Sequence, residues 1–169
     1  MRRYYFLLLL VIPFSANSQR LYSSLNFAAY HNNQIDFGGA VTGSIGTYLT
    51  EGLHVGLGGG AFIFQDDVYL YPIFGEIGYL NSKTKISPFG RARLGYGFYN
   101  GPGTKFGRVD DVRGRFYGDF SAGISLRAWR VNVSPYAGLS LFLLNDKLGD
   151  NDFLKPLFNI GLCISFYDF

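Results

Sequence analysis

From about residue 20 onward the chain alternates between apolar and polar positions with a period of two. In Ile86–Tyr99 the even positions are Ile86, Pro88, Gly90, Ala92, Leu94, Tyr96 and Phe98, and both charges, Arg91 and Arg93, fall on the odd face. In Tyr69–Leu80 the odd face is Tyr69, Tyr71, Ile73, Gly75, Ile77 and Tyr79, and the even face carries the one charge, Glu76. A strand points successive side chains to opposite faces, so each stretch is a two-sided ribbon. Asn81–Lys85 is a polar turn that joins them into a hairpin. Pairing Asn81 with Ile86 sets Glu76 across from Arg91, and Glu76 is expected to contact Arg91 or Arg93.

The same alternation predicts strands over Arg20–Tyr30, Phe37–Thr50, Leu53–Phe64, Gly114–Ala128, Val131–Leu144 and Phe153–Phe169. With the hairpin that makes eight, and no stretch after residue 20 sustains a helical period. Glu51-Gly52 and Ala128-Trp129 read as tight reversals, the latter if Arg127 pairs with Arg130. The other connections are His31–Asp36, Gln65–Val68, Asn100–Arg113 and Asn145–Asp152. They are on average longer and hold eight of the 12 acidic residues. Pro72, Pro88 and Pro156 fall near strand ends, where a lost ladder bond is tolerated; Pro135 has no place in this scheme.

Which face meets water decides the class. The apolar face of the hairpin is aromatic at its ends and aliphatic in its middle, with Tyr71 and Tyr79 bracketing Ile73–Ile77. Membrane-facing strands are built this way, because amphipathic rings sit at the headgroups. In lipid every backbone polar group needs an internal partner, so such a sheet must close on itself. The charged face then lines the inside. Short turns at one end and longer loops at the other are the asymmetry of an outer-membrane barrel.

The first residues read as a secretory signal peptide, residues 1–18. Arg2 and Arg3 are its positive end, Tyr4–Ile12 its apolar run, and Ala16-Asn17-Ser18 its small-x-small site, with cleavage between Ser18 and Gln19. Removing Arg2 and Arg3 from 15 basic residues leaves 13 against 12 acidic ones. The basic isoelectric point therefore belongs mostly to the leader, which excludes nucleic acid as a partner. One cysteine, Cys163, forms no internal disulfide, so stability must come from a closed hydrogen-bonded wall.

Ser87-Pro88-Phe89 leading into Leu94-Gly95-Tyr96-Gly97, and a last strand ending Tyr167-Asp168-Phe169, resemble the small outer-membrane β-barrel proteins of Gram-negative bacteria, the OmpA/OmpX-type eight-stranded barrels. The resemblance covers essentially all of Arg20–Phe169. It implies an all-β, antiparallel, up-and-down transmembrane barrel over residues 19–169 in an outer membrane. It implies that Tyr167 and Phe169 form the signal read by the barrel-assembly machinery. Parity runs against this at one point: Leu162, Ile164 and Phe166 share a face that excludes Phe169. The partners implied are outer-membrane lipid and lipopolysaccharide, with the chain a monomer.

Candidate chemistry lies inside. Glu76, Arg91, Arg93, Arg115, Asp119 and Arg127 share the inward face, with Arg93 set opposite Asp119 if the fifth and sixth strands fold about Phe106. Buried charges must be paired, and an eight-stranded interior is just filled by side chains. The expectation is a charged network plugging the barrel, and a structural or surface-interaction role. A small pore or ligand carrier is the alternative, favoured by the excess of arginine. A lipid-modifying enzyme is the third reading: it needs a histidine, serine and acid at the outer rim, and His31 with Asp66 or Asp67 lacks a following serine. His54 is assigned to the turn end, away from any site. Asp66, Asp67, Asp110, Asp111, Asp146, Asp150 and Asp152 lack the spacing of a calcium loop. No cofactor or metal is expected. Gly56, Gly58 and Gly60 point inward in a row and make room for rings such as Tyr48 and Phe74.

Overall fold

The computed structural model describes residues 21–32, 35–64, 68–81, 84–100, 115–146 and 151–167, with side chains at 21–31, 37–64, 69–81, 84–98, 116–143 and 156–166. The proposed leader and the Ser18–Gln19 cleavage site, most of the 100–113 connection, the loop carboxylates, the Arg115 and Tyr167 side chains and Phe169 lie outside these residues.

Eight strands follow one another: β1 (Leu21–Asn32), β2 (Ile35–Tyr48), β3 (Leu53–Phe64), β4 (Val68–Leu80), β5 (Ile86–Asn100), β6 (Arg115–Ala128), β7 (Val131–Asp146) and β8 (Asn151–Tyr167). Each pairs antiparallel with the next, and β8 closes on β1 from Tyr22↔Tyr167 to His31↔Phe158. Closure removes both sheet edges, so the wall leaves no row of unpaired backbone groups. The all-β, eight-stranded, up-and-down barrel expected from the alternation is the fold observed.

The faces follow the predicted parity. Leu57, Ile73, Leu94 and Ile124 are exposed outward while Phe62, Phe74, Arg93 and Ser125 are buried within. Among the strand residues with described side chains, no Asp, Glu, Lys or Arg occupies an outward position. Outward aromatics lie toward both ends, Phe37, Phe98, Phe116 and Phe158 at one and Tyr79, Trp129 and Phe166 at the other. An apolar band between aromatic girdles matches a hydrocarbon slab and not water.

Three expectations need correction. Glu76 pairs with Arg93 across the β4–β5 ladder, not with Arg91, which faces Gly78. The cause is at the turn: Leu80 donates its N–H to the carbonyl of Gly52 at 2.7 Å, and Arg127 donates to that of Lys85 at 2.8 Å. The ends of the hairpin are drawn to its neighbours, so β5 begins on β6 before it meets β4. Second, the β6–β7 turn is Trp129-Arg130, with Ala128 paired to Val131. Trp129 takes φ 58° there, a left-handed place usually filled by glycine in two-residue hairpins. Third, strands run further into the loop end than their polar residues suggested: Asn32 pairs with Ile35 and Asp146 with Asn151. The length asymmetry between the two ends is therefore carried by the single connection between β5 and β6.

The prolines now have an account. Pro72 keeps its pairing with Gly97 on β5, but the β3–β4 ladder skips from Gly59↔Ile73 to Phe62↔Leu70. Pro135 keeps Leu162 on β8, and the β6–β7 ladder skips from Gly123↔Tyr136 to Leu126↔Val133. Each proline opens one ladder on one side without shifting the register, because it lacks the N–H that would bond there.

Candidate functional site

The interior is stacked in layers. Toward the loop end Tyr30, Phe62, Phe64, Leu70, Phe74, Tyr117, Phe142 and Leu157 form one apolar cluster. Toward the turn end Tyr22, Leu80, Phe89, Tyr136 and Cys163 form a second. The charges lie between them.

Register explains why. One inward row runs Tyr22, Gly46, Gly56, Glu76, Arg93, Asp119, Ser140 through seven adjoining strands. The next runs His54, Gly78, Arg91, Ser121, Gly138, Asn159. Glycines open the space that the long side chains cross. A Cβ at Gly78 would stand 2.6 Å from the His54 ring, and one at Gly58 2.6 Å from Phe74. Gly56, Gly58 and Gly60 are all forced by backbone: a Cβ would meet the Ile45 carbonyl at 2.6 Å, the Gly43 carbonyl at 2.4 Å and the Val41 carbonyl at 2.3 Å. The expected room for Phe74 is there; the larger reason for the glycine row is close approach of β2 and β3.

Glu76 is the hub. Its Oε2 accepts from Arg93 Nε at 2.6 Å, and its Oε1 accepts from the hydroxyls of Tyr22 at 3.1 Å and Ser44 at 3.0 Å. Arg91 Nε is 3.9 Å from Oε2 and His54 Nε2 is 3.5 Å from Oε1. Arg93 also donates to Thr42 at 3.0 Å and lies over the Phe74 ring at 4.6 Å. Arg91 donates to Asn26 Oδ1 and, at 3.3 Å, to Ser121, with Tyr136 and Phe89 beneath it at 4.9 and 5.3 Å. Asp119 is the second anionic pole. It accepts from Ser121 at 2.8 Å, Ser140 at 2.6 Å and Asn159 at 3.1 Å. Arginine thus reaches Asp119 through Ser121, although Arg93 is its register partner.

Two arginines and two carboxylates stand together among the described residues, each nearly excluded from solvent. Arg127 does not join them: it is half-buried at the turn and donates to the Trp129 carbonyl at 3.2 Å. His54, assigned to the turn end, is instead fully buried beside Glu76 and stacks on Tyr22 with ring centroids 4.2 Å apart. Tyr22, Asn26, Thr42, Ser44, Ser121, Ser140 and Asn159 also belong to the site and were not singled out. Their signal was parity: each shares an inward face with a named charge.

Each carboxylate accepts from three donors, while Arg91 Nε and Asn159 Oδ1 make no hydrogen bond among the described residues. Ser44 spends its hydroxyl proton on Glu76, so it is not an activated nucleophile. His31 is exposed on the outer wall and stacks on Phe37 at 5.1 Å. Among the described residues no three of His, Cys, Asp and Glu gather as a metal site requires.

The chain has the fold of the small eight-stranded outer-membrane β-barrels. Neisserial surface protein A matches with a TM-score of 0.63 at 12% identity over 88% of this chain and 96% of that one. The N-terminal β-barrel domain of Pseudomonas aeruginosa OprF matches at 0.56, 14% identity, 89% and 100%. The outer membrane protein OprG from Pseudomonas aeruginosa matches at 0.54, 10% identity, 88% and 96%. No family model and no curated protein matches the sequence. The likeness of this outer-membrane-type barrel to its neighbours is one of architecture, and its interior network is described from its own residues.

Proposed function

We propose that this protein is an integral outer-membrane barrel with a structural or surface-interaction role, closed to conduction by its interior. The observation that carries this is the layering of paired charge between two aromatic clusters. An ion entering from the loop end meets Phe62, Phe64 and Phe142, whose rings pack edge to face at 5.4 and 6.4 Å. Beyond them, Glu76 and Asp119 each accept from three donors within the wall. An apolar seal over a neutralised centre offers a permeating ion neither water nor a counter-charge. The uncovered apolar band supports membrane residence, since a soluble barrel would have to expose it to water. Surface contact would fall chiefly to the 101–114 connection, which carries glycines and mixed charge. Lipopolysaccharide at the outer face and the assembly machinery acting on Tyr167 and Phe169 are the partners this reading takes.

Planar-bilayer recording tests it. The purified barrel, folded to its heat-modifiable form, is expected to give no discrete openings. Regular openings that vanish with Arg93→Ala would replace this reading by the pore.

A further inference from the structure

The outward wall of β7, β8, β1, β2 and β3 is not smooth. It holds a shallow, open groove of about 750 Å³. Ala29 and Gly39, register partners, form its floor. Phe27, Val41, Ile63 and Ile160 form its sides. At its loop-side end stand the stacked rings of His31 and Phe37, with Phe158 paired to His31.

The fold does not require the space. A Cβ at Gly39 would meet nothing nearer than the Ala28 carbonyl at 4.0 Å, whereas one at Gly46 would stand 2.0 Å from the Val55 carbonyl. Glycine at 46 is imposed by the wall; glycine at 39 leaves a hollow facing outward. An unfilled hollow forfeits dispersion contacts along its whole lining.

Chemistry selects the occupant. The groove is continuous with the apolar outer band, so it opens into whatever covers that band. A second copy meets it poorly: a twofold contact presents the same patch from both sides, and two hollows face to face enclose a void. No lysine or arginine lines it, so nothing in it seats a multiply anionic headgroup. A flexible hydrocarbon chain fits both shape and polarity. We propose that the groove binds one acyl chain of a membrane phospholipid, held against Ala29 and Gly39 while the surrounding lipid exchanges freely. This rests on the reading of the barrel as membrane-spanning.

The test uses the full chain folded into dimyristoylphosphatidylcholine vesicles, then extracted into detergent and weighed intact by native mass spectrometry. Wild type is expected to retain one phospholipid per barrel. Ala29→Leu with Gly39→Leu fills the floor and should lower retention about ten-fold. Ala92→Leu, outward on β5 and away from the groove, should retain as wild type does. Gly39→Val alone makes the same comparison should the double variant not fold. Equal retention in filled and control variants, or none in wild type, overturns the proposal. Failure of the membrane reading shows separately, as a wild-type chain that never acquires heat-modifiable gel mobility in the vesicles.

Discussion

Removing the carboxylate of Glu76 tests the interior most directly. Glu76→Ala takes away the acceptor of Arg93 at 2.6 Å, of Ser44 at 3.0 Å and of Tyr22 at 3.1 Å. Arg93 then keeps its bond to Thr42 and the face of Phe74, with its charge still inside the wall. Stranding one partner of a buried pair costs about 3–5 kcal/mol. Arg93→Ala should cost a similar amount, because it leaves Glu76 with hydroxyl donors and the more distant Arg91. The double variant removes both charges and should cost less than the two singles summed, by about 0.5–3 kcal/mol. Geometry adds an internal control. Arg91 stands 3.9 Å from the same carboxylate oxygen, and its fork is committed to Asn26 and Ser121. A Glu76–Arg91 cycle should therefore give the smaller coupling. The assay is reversible urea unfolding in phosphatidylcholine vesicles, followed by Trp129, the only tryptophan. Additive behaviour in the Glu76–Arg93 cycle, or a larger coupling to Arg91, would refute the register and the network built on it.

Leu94 is outward and 53% exposed near mid-strand, so Leu94→Arg should destabilise by about 2–4 kcal/mol in the same titration; an unchanged midpoint would mean this face does not meet hydrocarbon. Gly95→Ala would place a Cβ 2.0 Å from the Ile73 carbonyl, an overpacking by backbone that should cost about 1–3 kcal/mol. Gly90→Ala, where a Cβ meets nothing within 4 Å, should be neutral or stabilise by up to about 1 kcal/mol; equal effects at the two glycines would count against the strand spacing at β4–β5.

Facing was legible in the sequence because its signal repeats every two residues along every strand. A single slip would have put Arg91 and Arg93 into the outer band, so the pattern tolerated only one parity. Register carries no such redundancy. The expected Glu76–Arg91 pairing assumed that the ends of Asn81–Lys85 bond to each other, whereas Leu80 bonds to Gly52 and Lys85 to Arg127. Those partners lie 28 and 42 positions away in the chain, and no property of the turn itself announces them. The same stagger of the barrel moved His54 from the turn end to the flank of Glu76. Counting charges then found the poles and missed what holds them. Arg91, Arg93, Glu76 and Asp119 are conspicuous, but Asp119 is bound by serines and an asparagine drawn from β6, β7 and β8. A lone inward serine looks like solvated filler. It becomes a ligand of a carboxylate only when three ladders place it there, which is why polar residues on an inward face need to be read across rows as well as along strands.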